Sequence, residues 1–194
     1  MKRALLALAL LSLQAAPTIA RAQEGGFGIK GGLSYGNVSS SGALPGSVTQ
    51  RSGFALGVGA TSGGVLGFGV EGLYAQRGVT SSVGFDSRRL DYIDVPVYLR
   101  LALPTPAISP FAYAGPQASY ELHCGTESGN CPDSGRPRMT WSGVIGGGVR
   151  LGTAGGISVE GRYVYGLTDL KLSTVSTSNS YKTRSFMLLM GIGF

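Results

Sequence analysis

The chain has 194 residues, of which 43% are hydrophobic and 13% charged, with a formal net charge of +6. One domain suits that length, and beyond the N-terminal segment no apolar run reaches the ~20 residues of a transmembrane helix. The 33 glycines show no Gly-X-Y period, which excludes a collagen-like fibre.

Residues 1–22 read as a secretory signal peptide. Met1-Lys2-Arg3 is a positive start, Ala4–Leu13 is an apolar run too short to span a bilayer, and Ala20-Arg21-Ala22 is a small-x-small cleavage site. The expected mature domain is 23–194. Cleavage removes three of the 16 basic residues, Lys2, Arg3 and Arg21, and halves the formal charge. The remaining excess does not argue for a nucleic-acid partner. No Cys follows the cleavage site to carry a lipoprotein anchor.

Eight strand-like segments follow: Phe27–Val38, Ser52–Thr61, Val65–Gly78, Leu90–Leu103, Ile108–Leu122, Met139–Gly152, Gly156–Thr168 and Lys182–Phe194. Most are long enough to cross a bilayer as tilted strands, which takes ~9–11 residues. No helical period competes with them. Their connections alternate. Ser39–Arg51, Val79–Arg89, His123–Arg138 and Asp169–Tyr181 are long, whereas Ser62–Gly64, Pro104–Ala107 and Thr153–Gly155 are short. Sorting by length to opposite ends is the pattern of an up-and-down barrel with short periplasmic turns and long extracellular loops.

Successive strand side chains point to opposite faces, and nearly every segment has one apolar face and one small or charged face. Phe27, Ile29, Leu33 and Tyr35 oppose Lys30 and Ser34. Leu66, Phe68, Val70 and Tyr74 oppose Gly67, Gly69 and Glu71. Val95, Val97, Leu99 and Leu101 oppose Asp94, Tyr98 and Arg100. Ile145, Val149 and Leu151 oppose Gly146, Gly148 and Arg150. Ile157, Val159 and Tyr163 oppose Ser158, Glu160 and Arg162. The fifth segment is less regular: the parity that places Gln117, Ser119 and Glu121 inside also places Phe111 and Tyr113 there. A bulge at Pro110 or Pro116 is the expected reset. No second layer in the sequence covers the apolar faces, so they are expected to meet lipid. The glycines opposite them suit a narrow interior, or a ring lying over a neighbouring backbone.

The fold expected is therefore all-β, an eight-stranded antiparallel transmembrane β-barrel. Gly28–Val38, Val70–Gly78, Leu90–Arg100 and Pro110–Pro116, together with the terminal Phe194, resemble the conserved strands of the PorT-like outer-membrane β-barrel family, often called the porin family. The resemblance covers most of the mature chain. It implies a bacterial outer-membrane location, contact with outer-membrane lipid and lipopolysaccharide, and no defined activity. It also implies that the last strand, with Phe186, Leu188, Met190, Ile192 and Phe194 on one face, is a signal for the barrel assembly machinery. Physically this is an open strand edge offered for pairing. Phe194 is also readable as a girdle aromatic only.

Lys30, Glu71, Asp94, Arg100, Arg150, Glu160 and Arg162 are expected to form a charge-paired network in the lumen, because an eight-stranded barrel is just wide enough for side chains to fill and buried charges must pair. Cys124 and Cys131 lie close together in an exported chain and are expected to form a disulfide. His123 is the single histidine, too little for a metal centre or a nucleophilic dyad, and reads as a loop residue. No cofactor, metal or catalytic residue is expected. The Ser- and Gly-rich long loops read as solvated, or as a surface for an extracellular ligand. The function expected is structural or surface-interacting, not enzymatic. A small porin-like channel and a lipid A- or phospholipid-modifying barrel are the alternatives.

Overall fold

The structure is a computed structural model that describes residues 25–40, 48–81, 88–103, 105, 107–126, 129–130, 138–152, 156–168 and 181–193. The expected signal peptide, Cys131, Phe194, and residues 41–47, 82–87, 131–137 and 169–180 of the long connections lie outside them.

The described residues form nine strands: β1 (Gly26–Ser40), β2 (Val48–Thr61), β3 (Leu66–Ser81), β4 (Arg88–Ala102), β5 (Ile108–Thr126), β6 (Gly129–Asn130), β7 (Met139–Leu151), β8 (Ile157–Gly166) and β9 (Tyr181–Ile192). β6 is a two-residue partner to the loop end of β5. The other eight form one antiparallel sheet in the order β4-β3-β2-β1-β9-β8-β7-β5, and a β4–β5 pairing closes it. Among the described residues, closure leaves none of these eight strands with an unpaired side, as a lipid-embedded sheet requires. Several strands run further into the long connections than the hydrophobic pattern marks: β2 begins at Val48, β3 reaches Ser81 and β5 reaches Thr126.

The chain turns a soluble protein inside out. Its buried residues include Arg162, Asp94 and Ser34, each with no exposure, while Phe27 and Leu66 are about 70% exposed. The outward face carries an apolar side chain on every barrel strand, including Leu56, Leu99, Ile145, Tyr163 and Leu188. An apolar surface of this extent is untenable in water and suits hydrocarbon. The aromatic residues Phe54, Tyr120, Trp141 and Phe186 are also exposed on this face, with the Phe54 and Tyr74 rings 5.6 Å apart.

β5 corrects one expectation. The pairing of β5 with β7 runs without interruption from Ile108↔Leu151 to Tyr120↔Met139, so neither Pro110 nor Pro116 resets the strand. Pro110 and Pro116 are outward and exposed, and Phe111 and Tyr113 do face inward. The register shift lies higher, where Asp91 pairs with His123 but Tyr92 pairs with Glu121. That one-residue bulge at Leu122 puts His123 on the outer face, opposite Asp91.

Inward glycines make room for the lumen side chains. A Cβ on Gly69 would sit 2.5 Å from the Tyr98 ring, and one on Gly146 would sit 2.4 Å from the Tyr113 ring. The two tyrosine rings lie 4.5 Å apart, centroid to centroid. Above them, away from the short turns, Ala55, Ala75, Val144, Val164, Met187 and Leu189 pack as an apolar layer inside the barrel.

Candidate functional site

The lumen is crossed by a ring of four charges. Lys30 on β1, Glu71 on β3, and Glu160 and Arg162 on β8 all occupy inward positions. Lys30 Nζ donates to Glu71 Oε1 at 2.7 Å and to Glu160 Oε2 at 3.1 Å. Arg162 Nη2 donates to Glu71 Oε2 at 2.6 Å and to Glu160 Oε1 at 2.9 Å. Each cation therefore bridges the same two carboxylates, and the charges of the four balance.

Two tyrosines complete the ring. Tyr98 on β4 donates its hydroxyl to Glu71 Oε1 at 2.5 Å. Tyr113 on β5 donates to Glu160 Oε1 at 2.9 Å and accepts from Arg162 Nε at 2.8 Å. Arg162 is wholly enclosed, and its guanidinium carbon lies 5.2 Å from the Tyr113 ring centroid. Buried ion pairs are tolerable only when such further hydrogen bonds satisfy their remaining donors and acceptors.

The other three predicted charges stand apart from this ring. Asp94, two turns of the pleat nearer the loops, forms an ion pair with Arg77 of β3. The Arg77 guanidinium also lies 5.1 Å from the Tyr92 ring centroid. Arg77 shares the inward parity of Glu71 on β3, so the alternation carried a signal for it that the sequence reading passed over. Arg100 and Arg150 lie on the other side of the ring, toward the short turns, where both line one cleft. The roles of Tyr98 and Tyr113 were also missed. Both occupy inward positions, but only their hydroxyl geometry shows that they serve Glu71 and Glu160.

Near the loop end Arg89 Nε donates to Asp91 Oδ1 at 3.1 Å. His123 is exposed, and the described residues contain no group of three His, Cys, Asp or Glu able to hold a metal. Cys124 pairs with Leu90 across β4 and β5. Phe186, Leu188, Met190 and Ile192 all lie on the exposed face of β9, which is paired on both sides, by β1 and β8.

The arrangement binds strands on opposite walls together and fills the space between them. A family model described as Outer membrane protein beta-barrel domain matches residues 4–194. A search of curated proteins found no match. Among solved structures, Ail of Yersinia pestis is 18% identical with a TM-score of 0.51, over 89% of this chain and 100% of that one. Neisserial surface protein A is 12% identical with a TM-score of 0.53, over 87% and 97%. The outer-membrane enzyme PagL is 14% identical with a TM-score of 0.51, over 86% and 99%. At such identities the likeness is one of fold, and PagL is described as an enzyme. With the family match spanning nearly the whole sequence, the chain belongs to the bacterial outer-membrane β-barrel proteins of the outer membrane protein beta-barrel domain family.

Proposed function

We propose that this barrel is a closed structural or surface-interaction protein of the outer membrane, with a lumen plugged by the Lys30–Glu71–Glu160–Arg162 ring. The observation that carries this reading is the complete enclosure of Arg162 between two carboxylates, with Tyr98 and Tyr113 filling the gaps. Eight strands leave only enough interior for side chains, and a water-filled bore would have to break these contacts. The refolded protein should therefore give no discrete conductance steps in planar bilayers. Regular unitary steps would establish the porin-like alternative.

The enzyme alternative draws only on the likeness to PagL and on His123, which faces Asp91 on the outer surface. Unchanged lipid A and phospholipid mass spectra on expression are the expected outcome. A modification lost in His123→Ala would overturn it.

Several further readings belong to the same proposal. Residues 1–22 are cleaved as a signal peptide. The narrower PorT-like kinship rests on the strand motifs. The apolar face of β9, ending at Phe194, is read by the barrel assembly machinery. The outer face contacts lipid and lipopolysaccharide, and the long loops bind an extracellular ligand. Ail has been solved with a heparin analogue, sucrose octasulfate, so barrels of this shape do bind ligands. Cys124 and Cys131 form a disulfide. In support, no described cysteine is a free thiol. Alkylation of the unfolded protein only after reduction is the check.

A further inference from the structure

We infer that the long-loop end of the β8–β9–β1 outer face holds a binding site for the phosphate of an outer-leaflet lipopolysaccharide, built on Arg184 and Tyr165; it rests on the lipopolysaccharide contact proposed above. Arg184 shares the outward parity of Phe186, Leu188, Met190 and Ile192 on β9, and it is exposed. It stands one outward position beyond Phe186, where the apolar stripe ends. Its guanidinium carbon lies 5.5 Å from the centroid of the Tyr165 ring on β8. Among the described residues it forms no ion pair. A cation at the edge of hydrocarbon is stabilised by an anion, and the anions at that level are lipid phosphates.

The face below Arg184 is layered as a lipid is. Arg184 pairs with Tyr165 across β9 and β8. One outward step toward the short turns, Phe186 lies between Tyr163 of β8 and Tyr35 of β1. One step further, Leu188 lies between Gly161 of β8 and Leu33 of β1. A charge, a belt of aromatic rings and an aliphatic patch therefore follow one another down adjacent strands. They match a phosphate, a sugar and acyl chains in that order. A guanidinium resting on a ring keeps its N–H edge for phosphate oxygens. Arg89 makes the contrast. It lies at the same end on β4, on the opposite side of the eight-stranded barrel. Its Nε donates to Asp91 Oδ1 at 3.1 Å, so its charge is already met. The long loops mark the outer leaflet, which is where lipopolysaccharide lies.

The test uses the refolded mature chain in detergent. The probes are phosphorylated lipid A and the same lipid A stripped of its phosphates, with bound lipid counted by native mass spectrometry. Wild type should bind the phosphorylated form about tenfold more tightly or better, the scale of a charge-assisted hydrogen bond. Arg184→Gln should lose that preference, and Arg89→Gln should keep it. Both side chains are exposed, so both variants should still show the heat-modifiable gel shift of a folded barrel. An undiminished preference in Arg184→Gln would overturn the site. Equally tight binding of phosphatidylglycerol, which carries a phosphate without the sugar, would overturn lipopolysaccharide as its occupant. Lipid A bound by wild type without regard to phosphate would sink the site and leave the lipopolysaccharide contact standing. No lipid A bound in either form would sink both.

Discussion

The Arg162 guanidinium reaches Glu71 Oε2 at 2.6 Å across the lumen, from residues 91 positions apart in the chain. β3 and β8 are not neighbours in the sheet, so this contact ties together walls that backbone pairing does not join. Glu71 would be left with an excess of buried negative charge if Arg162 were lost. Arg162→Ala should therefore cost about 3–5 kcal/mol of stability, read as a lower urea midpoint for refolding into lipid vesicles and a lower temperature for the heat-modifiable gel shift. Wild-type behaviour of the variant would rule out a structural ring.

A double-mutant cycle separates the pair from its surroundings. Glu71→Gln and Arg162→Ala should be non-additive, with a coupling energy of about 0.5–3 kcal/mol. Additive losses would mean that the two side chains do not depend on each other.

An inward and an outward glycine of β3 give a paired prediction. Gly69→Ala places a methyl against the Tyr98 ring at 2.5 Å, whereas a Cβ on Gly72 meets nothing within 4 Å. Gly69→Ala should destabilise by roughly 1–3 kcal/mol through overpacking, and Gly72→Ala should be near neutral. Equal effects in urea titration would contradict the filled interior.

The lipid face makes the fourth prediction. Val97 is exposed and lies midway along the apolar stripe of β4. Val97→Arg should lower the unfolding free energy in vesicles by about 2–4 kcal/mol, the cost of a cation near the bilayer midplane. A neutral result would put this face in water.

Much of the barrel was legible because alternation is local. The parity of Ile157, Val159 and Tyr163 against Ser158, Glu160 and Arg162 needs no knowledge of neighbouring strands, and alternating loop lengths determine which ends lie together. Tyr113 was ambiguous because a ring facing the lumen resembles one facing lipid. What separates them is the space left by Gly146 and the hydroxyl contacts to Glu160 and Arg162. The grouping of charges was not legible. Which inward residues meet depends on the stagger between strands, and only the register shows that Asp94 belongs with Arg77 while Arg100 and Arg150 sit below the ring. Asp91 has outward parity yet is buried, because Arg89 covers it.

The central claim is that apolar side chains look out at acyl tails while ionic ones look in, and the single tryptophan reports on it directly. Trp141 lies on the exposed face of β7 at 53% exposure. In vesicles containing brominated phospholipids its fluorescence should be strongly quenched, while aqueous iodide should quench it weakly. Quenching by iodide with no response to bromolipid would place Trp141 in water and contradict the account.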